Sequence, residues 1–331
     1  MQITNLGKAG PRTSAFGLGA MGMSGSYGPS DRDESIATIH AALDAGITLI
    51  DTGDFYGMGH NELLIAEALH GRDRDTVQLS VKFGALRAPD GSWLGFDGRP
   101  AAVKTALAYT LQRLGVDHID IYRPGRLDPD VPIEDTVGAI GEMVQAGYVR
   151  HVGLSEVGVE TLRRAAATHP ICDLQIEYSL VSRGVEDTIL PVLRELGISM
   201  TAYGVLSRGL IGGHWKPGTV AAADDFRSHS PRFQAEHVDR NLALVDALAK
   251  VAQGRGITTA QAAIAWVAAQ GADIVPLIGA RTRTRLSEAL GAADVAFSAD
   301  DLAAIEAAVP RDAASGDRYP KPLMAMLDSE R

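Results

Sequence analysis

Five polar residues each close a short apolar run, and they are the first candidates for chemistry in this chain of 331 residues: Asp51, Lys82, Ser155, Gln175 and Tyr203. The carboxyl ends of neighbouring parallel strands meet at one edge of a sheet, with strands about 4.8 Å apart. We therefore expect these side chains to converge on one rim, where the Asp and the Lys can pair.

Tyr56 lies five residues after Asp51, on the loop just above the predicted rim. A phenol has a reference pKa near 10 and is a weak acid at neutral pH. An adjacent Lys82 ammonium would lower the pKa of Tyr56, while Asp51 would keep Lys82 oriented and charged. Tyr56 could then donate a proton to a carbonyl oxygen while a hydride reaches the carbon. From spacing alone, a structural Asp51–Lys82 ion pair beside a rim aromatic explains the pattern equally well.

The elements that must position these residues follow one repeated pattern of amphipathic helix, Gly and short strand. In residues 34–54, apolar side chains recur at helical spacing up to Leu43, Gly46 is placed to end the helix, and residues 48–50 form a strand that ends at Asp51. The pattern recurs along the chain. The predicted strands are at residues 14–21, 48–52, 76–82, 118–122, 148–155, 173–178, 198–203 and 273–279.

Eight strands alternating with helices predict an α/β fold, a single (β/α)8 TIM barrel. We expect one domain over residues 1–331, with a core at about 14–308 and a C-terminal tail at 309–331. Long loops at 84–99 and 204–237 should lie on the C-terminal face, where barrels build active sites. A doubly wound sheet is the alternative, but "FGLGAMGMSG" lacks the G-x-G-x-x-G context of its phosphate turn.

Composition narrows the class of protein. Hydrophobic residues make up 46% of the chain and charged residues 22%, which is typical of a soluble globular protein. A net charge of −10 argues against a nucleic-acid partner, and no apolar run is long enough for a membrane span. The amino terminus lacks an export signal, and Cys172 is the only cysteine. We expect a cytoplasmic protein without a metal site.

Six stretches together resemble the aldo-keto reductase superfamily, in order and spacing over about residues 14–308: "IDTGDFYGMGHNE", "LSVKFG", "VGLSE", "LQIEYSL", "AYGVLSRGLIGG" and "IGARTRTRLSEAL". The resemblance implies a (β/α)8 barrel that binds NADPH without a Rossmann fold and reduces an aldehyde or ketone. It places Asp51, Tyr56 and Lys82 on three of the family's four catalytic positions.

The fourth family position is a histidine in a pattern like "IDLYxxHRxDP", and here "IDIYRPGRLDP" has Gly125. His118 cannot replace it, because it begins the same strand at the opposite end. Loss of one donor to a carbonyl oxygen can cost about 3 kcal/mol. A water or part of a bulkier substrate could fill the gap, so we expect reduced or redirected activity.

By resemblance, the cofactor would contact residues from several loops. Ser155 and Gln175 would bind the carboxamide, and Tyr203 would stack on the nicotinamide, although Glu156 stands where the family often has Asn. "GARTRTRLSEAL" begins the last predicted barrel helix with Arg281, Arg283 and Arg285, which favours a 2′-phosphate and hence NADPH over NADH. The predicted cofactor contacts are Gly19, Ala20, Met21, Ser155, Gln175, Tyr203, Leu206, Arg208, Gly209, Leu210, Gly279, Arg281, Arg285 and Glu288.

The substrate is expected to be a small-molecule carbonyl compound. Its predicted contacts come from rim loops and strand ends: Met23, Tyr27, Phe55, Trp93, Tyr122, Arg123, Gly125 and Trp215. Two rival functions remain open. One is an NADPH-binding regulatory module like the potassium-channel β-subunits, and the other is a Schiff-base aldolase with Lys82 as nucleophile. The sequence does not predict the oligomeric state.

Overall fold

A closed barrel of parallel strands dominates the computed structural model, which describes residues 1–331. The barrel order is β3-β4-β5-β8-β9-β10-β11-β12, and all eight predicted strands are present. The (β/α)8 prediction is confirmed. The strands are β1 (Ile3–Asn5), β2 (Arg12–Ser14), β3 (Gly17–Gly19), β4 (Leu49–Gly53), β5 (Gln78–Phe83), β6 (Ala85–Arg87), β7 (Trp93–Phe96), β8 (Ile119–Pro124), β9 (Val149–Ser155), β10 (Ile171–Glu177), β11 (Ser199–Tyr203) and β12 (Ile274–Gly279).

The longer helices surround the barrel and bury apolar residues in its core, whereas the four-residue helix Lys321–Met324 has no buried residue. Gly115 and Gly197 end two of them in the left-handed conformation, as their positions in the sequence predict. The helices are α1 (Arg32–Asp44), α2 (His60–Leu69), α3 (Pro100–Leu114), α4 (Ile133–Gln145), α5 (Val159–Thr168), α6 (Ile189–Leu196), α7 (Ala235–Gly254), α8 (Thr259–Ala269), α9 (Arg283–Leu290), α10 (Ala299–Ala308) and α11 (Lys321–Met324). None of them is long and apolar enough to cross a membrane.

The regions outside the repeat are more ordered than the sequence suggests. Residues 84–99 contain the antiparallel hairpin β6–β7 rather than an unstructured loop. Short 3₁₀ helices at Ser207–Gly212, Phe226–His229 and Pro231–Phe233 organise the loop after β11. A second hairpin, β1–β2, places Leu6 against the barrel residues Leu49 and Ile121.

Strand alternation decides which side chains enter the barrel. Parallel pairing sets Asp51 beside Ser80, Gly53 beside Lys82 and Lys82 beside Arg123. Successive side chains of a strand point to opposite faces, so every second residue of these strands faces inward. Apolar side chains fill the lower barrel interior, and charged or amide side chains fill the end where the strands finish.

Candidate active site

Asp51 and Lys82 form an ion pair inside the barrel mouth, which we call the inner pair. The Asp51 carboxylate also accepts hydrogen bonds from the Ser80 hydroxyl at 2.8 Å and from the Gln175 amide at 2.7 Å. The Lys82 side chain is only 6% exposed. Three neighbouring groups therefore fix one carboxylate, and this carboxylate in turn orients the ammonium.

Tyr56 lies close to the inner pair, with the Lys82 Nζ atom 5.3 Å from the centre of its ring. Burial raises the pKa of the Tyr56 phenol well above its ordinary value, and the Asp51 carboxylate raises it further. Burial also lowers the pKa of Lys82 to about 8, despite the opposing effect of Asp51. The pKa of Tyr56 is therefore raised in this arrangement, where desolvation has the largest effect. That Lys82 lowers the pKa of Tyr56 stays a prediction.

Gly125 faces an aromatic ring rather than an open gap. A Cβ atom built on Gly125 would lie 3.1 Å from the Phe55 ring and 3.3 Å from the carbonyl oxygen of Phe83. The Phe55 ring also makes an edge contact with Tyr56, with 5.0 Å between ring centres. The Phe55 ring therefore packs where a side chain at position 125 would begin.

Two predicted substrate contacts are engaged elsewhere, because Tyr122 points outward from the barrel and Arg123, which points inward, is held by Asp173. Tyr122 lies on the outer face of β8, stacks on Phe83 and donates a hydrogen bond to the Val103 carbonyl of α3 at 3.3 Å. Arg123 is fully buried inside the barrel and pairs with Asp173 at 3.0 Å. Both assignments to the substrate pocket are corrected.

Among the remaining predicted wall residues, Tyr27 and Trp215 both lie beside Arg227, whose guanidinium is 5.8 and 4.9 Å from their ring centres. Met23 is buried in the core. Tyr27 shares its surroundings with Arg208, and burial raises its pKa to about 12. Trp93 packs on Phe96 in the β6–β7 hairpin, whereas Trp215 packs on Phe233.

A groove of about 250 Å³ lies beside the mouth, between the β6–β7 hairpin, residues 127–130 and the C-terminal tail. None of the predicted wall residues lines it.

The arginines at the start of α9 are all engaged. Arg281 donates to the carbonyl oxygens of residues 27–29 at 2.8 to 3.1 Å. Arg283 pairs with Glu34 of α1, so it points away from the mouth. Arg285 pairs with Glu288 at 3.2 Å across one helical turn, and His214 contacts both side chains.

Comparison with known proteins identifies the family. The sequence model described as "Aldo/keto reductase family" matches residues 15–310. The chain is 40% identical over 322 residues to a probable aldo-keto reductase 1 from Glycine max, covering 96% of this chain and 92% of that protein. The chain belongs to the aldo/keto reductase family.

Solved structures agree with this family assignment. The glycerol dehydrogenase AKR11B4 from Gluconobacter oxydans superposes with a TM-score of 0.85 at 29% identity, over 92% of this chain and 94% of that one. The aldo-keto reductase AKR11C1 from Bacillus halodurans, in its holo form, superposes with a TM-score of 0.76 at 24% identity, over 97% of this chain and 100% of that one. The second likeness concerns the fold alone.

Aldo/keto reductases are oxidoreductases that use nicotinamide cofactors, and the mouth of this family member offers a surface of suitable shape for one. Gly19 and Gly279 pair side by side at the ends of β3 and β12. The nearest atom to a Cβ on Gly19 would be 3.7 Å away, and no atom lies within 4 Å of a Cβ on Gly279. The two glycines therefore leave an open backbone surface against which a flat ring can lie.

Several other predicted cofactor contacts lie on a strained turn or carry a free polar atom. Ser207 and Arg208 both adopt positive φ angles, 46° and 57°, directly before Gly209. Non-glycine residues rarely adopt this conformation, and such strain concentrates at functional sites. Gln175 uses its amide nitrogen on Asp51, which leaves its carbonyl oxygen available to a carboxamide. Arg208 pairs with Glu177 at 3.1 Å.

The predicted cofactor contacts Ala20, Met21, Leu206 and Leu210 lie next to residues already described. Ala20 donates its backbone N–H to the Asp51 carbonyl at 2.9 Å, and Met21 begins a 3₁₀ helix directly after it. Leu206 precedes the strained turn and Leu210 is buried behind it.

The C-terminal tail contributes a charged cluster that the sequence argument missed. Glu156 and Arg318 form a buried two-point ion pair, at 2.9 and 2.6 Å. The Tyr203 hydroxyl donates to Glu156 at 2.6 Å and lies 2.9 Å from the Tyr319 hydroxyl. We call Glu156, Tyr203, Arg318 and Tyr319 the tail cluster. Burial alone would raise the pKa of Glu156, but the arginines lower it to about 2.

The tail cluster changes the interpretation of two predicted cofactor residues. Glu156 does not stand free in the place of an amide, because Arg318 and Ser329 of the tail bind its carboxylate. Tyr203 is tied to the tail through its hydroxyl. No spacing rule links residues 156 and 318, and the only sequence signal was an Arg-Tyr pair in a tail with no other aromatic residue.

Proposed function

We propose that this aldo/keto reductase uses NADPH to reduce an aldehyde or ketone to the alcohol, in a reversible hydride transfer. The observation that carries the proposal is the inner pair beneath Tyr56 at the mouth of the barrel, beside the open surface of Gly19 and Gly279. A buried acid, a positioned cation and a flat cofactor surface are the parts that such a reduction needs.

When bound, NADPH supplies the hydride to the carbonyl carbon. Tyr56 gives its proton to the carbonyl oxygen, and the raised pKa keeps that proton in place until the oxygen becomes basic. Lys82, oriented by Asp51, stabilises the phenolate that remains. Ser155 and Gln175 would hold the carboxamide, and Tyr203 would support the ring.

The adenine end would use the arginines before and within α9. Arg285 is 48% exposed, has Glu288 as its partner and lies within one turn of the helix N-terminus. A 2′-phosphate is a stronger acceptor than the Glu288 carboxylate, so it can replace Glu288 as the partner of the Arg285 guanidinium. We infer that Arg285 and Arg281 favour NADPH over NADH.

Absorbance at 340 nm, which follows NADPH oxidation, tests the proposal with a panel of aldehydes and ketones of increasing bulk. Wild-type protein should oxidise NADPH with at least one carbonyl, and Tyr56→Phe should lower kcat by about 10³ or more. Tight NADPH binding without turnover would instead support the regulatory module.

The Schiff-base aldolase has one observation in its favour, the lowered pKa of Lys82. Against it, the ammonium is buried and held by Asp51, so the amine is not free to attack a carbonyl. Borohydride trapping of a Lys82 imine with a carbonyl substrate would support the aldolase and contradict the reductase.

Cofactor preference is tested separately. Arg285→Ala should raise the KM for NADPH roughly tenfold and leave the KM for NADH unchanged, because only NADPH carries the 2′-phosphate. Arg255→Ala is the matched control, since Arg255 is 44% exposed and pairs with Asp301. Equal effects of Arg285→Ala on both cofactors would contradict this assignment.

A further inference from the structure

Position 125 cannot supply a hydrogen-bond donor to a substrate carbonyl. Gly125 has no side chain, and the Phe55 ring and the Phe83 carbonyl lie against the place where one would begin. Tyr56 would give the substrate carbonyl oxygen one hydrogen bond, and the cofactor would give only the hydride. The oxygen would therefore lack the second hydrogen bond that the family histidine supplies. Any residue that fills this role must reach the mouth from another position.

Arg126, the next residue, extends back across the rim. Its Nη1 atom donates to the Gly125 carbonyl at 2.6 Å and reaches the Ser155 hydroxyl at 3.5 Å. Its Nη2 atom reaches the Tyr319 hydroxyl at 3.4 Å. The guanidinium therefore spans the ends of β8 and β9, between the vacant histidine position and a predicted nicotinamide contact.

Arg126 differs in its partners from three other arginines at the mouth, whereas Arg281 likewise has only carbonyl acceptors. Arg208, Arg227 and Arg318 each pair with a carboxylate, from Glu177, Asp225 and Glu156 respectively. Arg126 has only neutral acceptors, a carbonyl and two hydroxyls.

Two of the three hydrogen bonds of Arg126 are near the limit of hydrogen-bond length, so they are weak and easily exchanged. A partly buried cation with no carboxylate within ion-pair distance is suited to a developing negative charge, although the field of Glu156 reaches it. Burial raises the pKa of Tyr56 and the field of Arg126 opposes that rise, so the charge of the guanidinium reaches the phenol.

We propose that Arg126 donates a hydrogen bond to the substrate carbonyl oxygen and stabilises the negative charge that develops there, in place of the histidine absent at Gly125. This inference rests on the proposed carbonyl reduction. Arg126 exchanges its weak bonds to Ser155 or Tyr319 for the carbonyl oxygen and keeps its short bond to the Gly125 carbonyl as an anchor.

Substitution with chemical rescue tests the role. Arg126→Ala should lower kcat with the best carbonyl substrate by about 10² to 10³, the usual effect of losing one such donor. Added guanidinium ion should restore kcat at least tenfold in Arg126→Ala and leave wild type unaffected. Arg126→Lys keeps the charge on a shorter and less branched group, so its kcat should lie between those of wild type and Arg126→Ala.

The control and the contrary outcomes separate this inference from the proposed function. Arg164→Ala removes an exposed arginine that binds Glu134 at two points, and its kcat should stay within twofold of wild type without a response to guanidinium. The dissociation constant of NADPH, followed by fluorescence, should change less than threefold in Arg126→Ala.

A kcat within threefold of wild type, a loss confined to NADPH affinity, or a loss that guanidinium does not rescue would each overturn the role of Arg126. In these cases wild type would still turn over and Tyr56→Phe would still be inactive. If wild type reduces no carbonyl at all, the proposed function fails and the Arg126 inference fails with it.

Discussion

The inner pair and the tail cluster are both buried ion pairs at one end of the barrel, yet the chain builds them in different ways. Asp51 and Lys82 lie on adjacent strands, and the register of β4 and β5 brings them together. Glu156 and Arg318 are separated by 162 residues, and only the path of the tail brings them together. The inner pair therefore follows from the register of the barrel strands, whereas the tail cluster attaches the C-terminal tail to the barrel.

The inner pair should have the largest effect on activity. Lys82→Met should lower kcat by about 10³, because it removes the cation that stabilises the Tyr56 phenolate. Lys104→Met is the matched control, since the Lys104 pair with Glu142 is exposed and such pairs contribute little. Steady-state kinetics of both variants check the contrast, and equal losses would show that the position of Lys82 is not special.

The sequence predicted what strand periodicity controls. The ends of the barrel strands placed Asp51, Lys82 and Gln175 at one rim, and the structure brings these three into one hydrogen-bonded group. Periodicity also shows why Tyr122 was misplaced, since it lies on the outer face of β8. Arg123 lies on the inward face beside Lys82, and its pair with Asp173 is what periodicity does not reveal.

The sequence could not predict contacts that depend on loop paths. Arg318 reaches Glu156 from the tail, and Phe55 turns onto Gly125 from the loop after β4. Neither path has a period that a pattern can reveal. The pKa of Tyr56 was also beyond the sequence, because its direction depends on how completely the phenol is desolvated.

The tail cluster should have the larger effect on stability. Arg318→Met should lower the free energy of unfolding by about 3 kcal/mol, because it leaves the Glu156 carboxylate buried without its cation. Arg163→Met, which removes an equally two-pronged but exposed pair with Glu195, should cost less than about 1 kcal/mol. Urea unfolding measures both, and Glu156→Gln combined with Arg318→Met should recover part of the loss.

Acidic pH should reveal how much the Glu156–Arg318 pair contributes to the free energy of unfolding. The pKa of Glu156 is lowered from 4.5 to about 2 on folding, so its stabilisation is present above about pH 4.5 and is lost as the pH falls towards 2. The loss should shrink in Arg318→Met, where the carboxyl no longer has a lowered pKa. An unchanged acid dependence in that variant would show that Arg318 does not control Glu156.

Alkaline pH should reveal the loss of the Lys82 charge through a fall in kcat. The pKa of Lys82 is lowered to about 8, whereas that of Tyr56 is raised, so the lysine loses its proton first. The kcat for carbonyl reduction should fall above about pH 8, approaching tenfold per pH unit. Lys82→Arg should remove this decline in whatever activity it retains, because guanidinium stays charged. A decline at the same pH in Lys82→Arg would assign it to another group.

The smallest expected effect lies between the two regions, at Gly125. Gly125→Ala places a methyl group 3.1 Å from the Phe55 ring and 3.3 Å from the Phe83 carbonyl, so the ring must shift. We expect a loss of about 1 kcal/mol in stability, since the ring is only half-buried and can move. Phe55→Leu should relieve the contact, so the double variant should lose less than the sum of the two single losses. Urea unfolding of wild type, the two single variants and the double variant measures the coupling.

Strictly additive losses would show that Phe55 does not fill the histidine position. The case for a donor from Arg126 would then weaken, because a water could occupy that space.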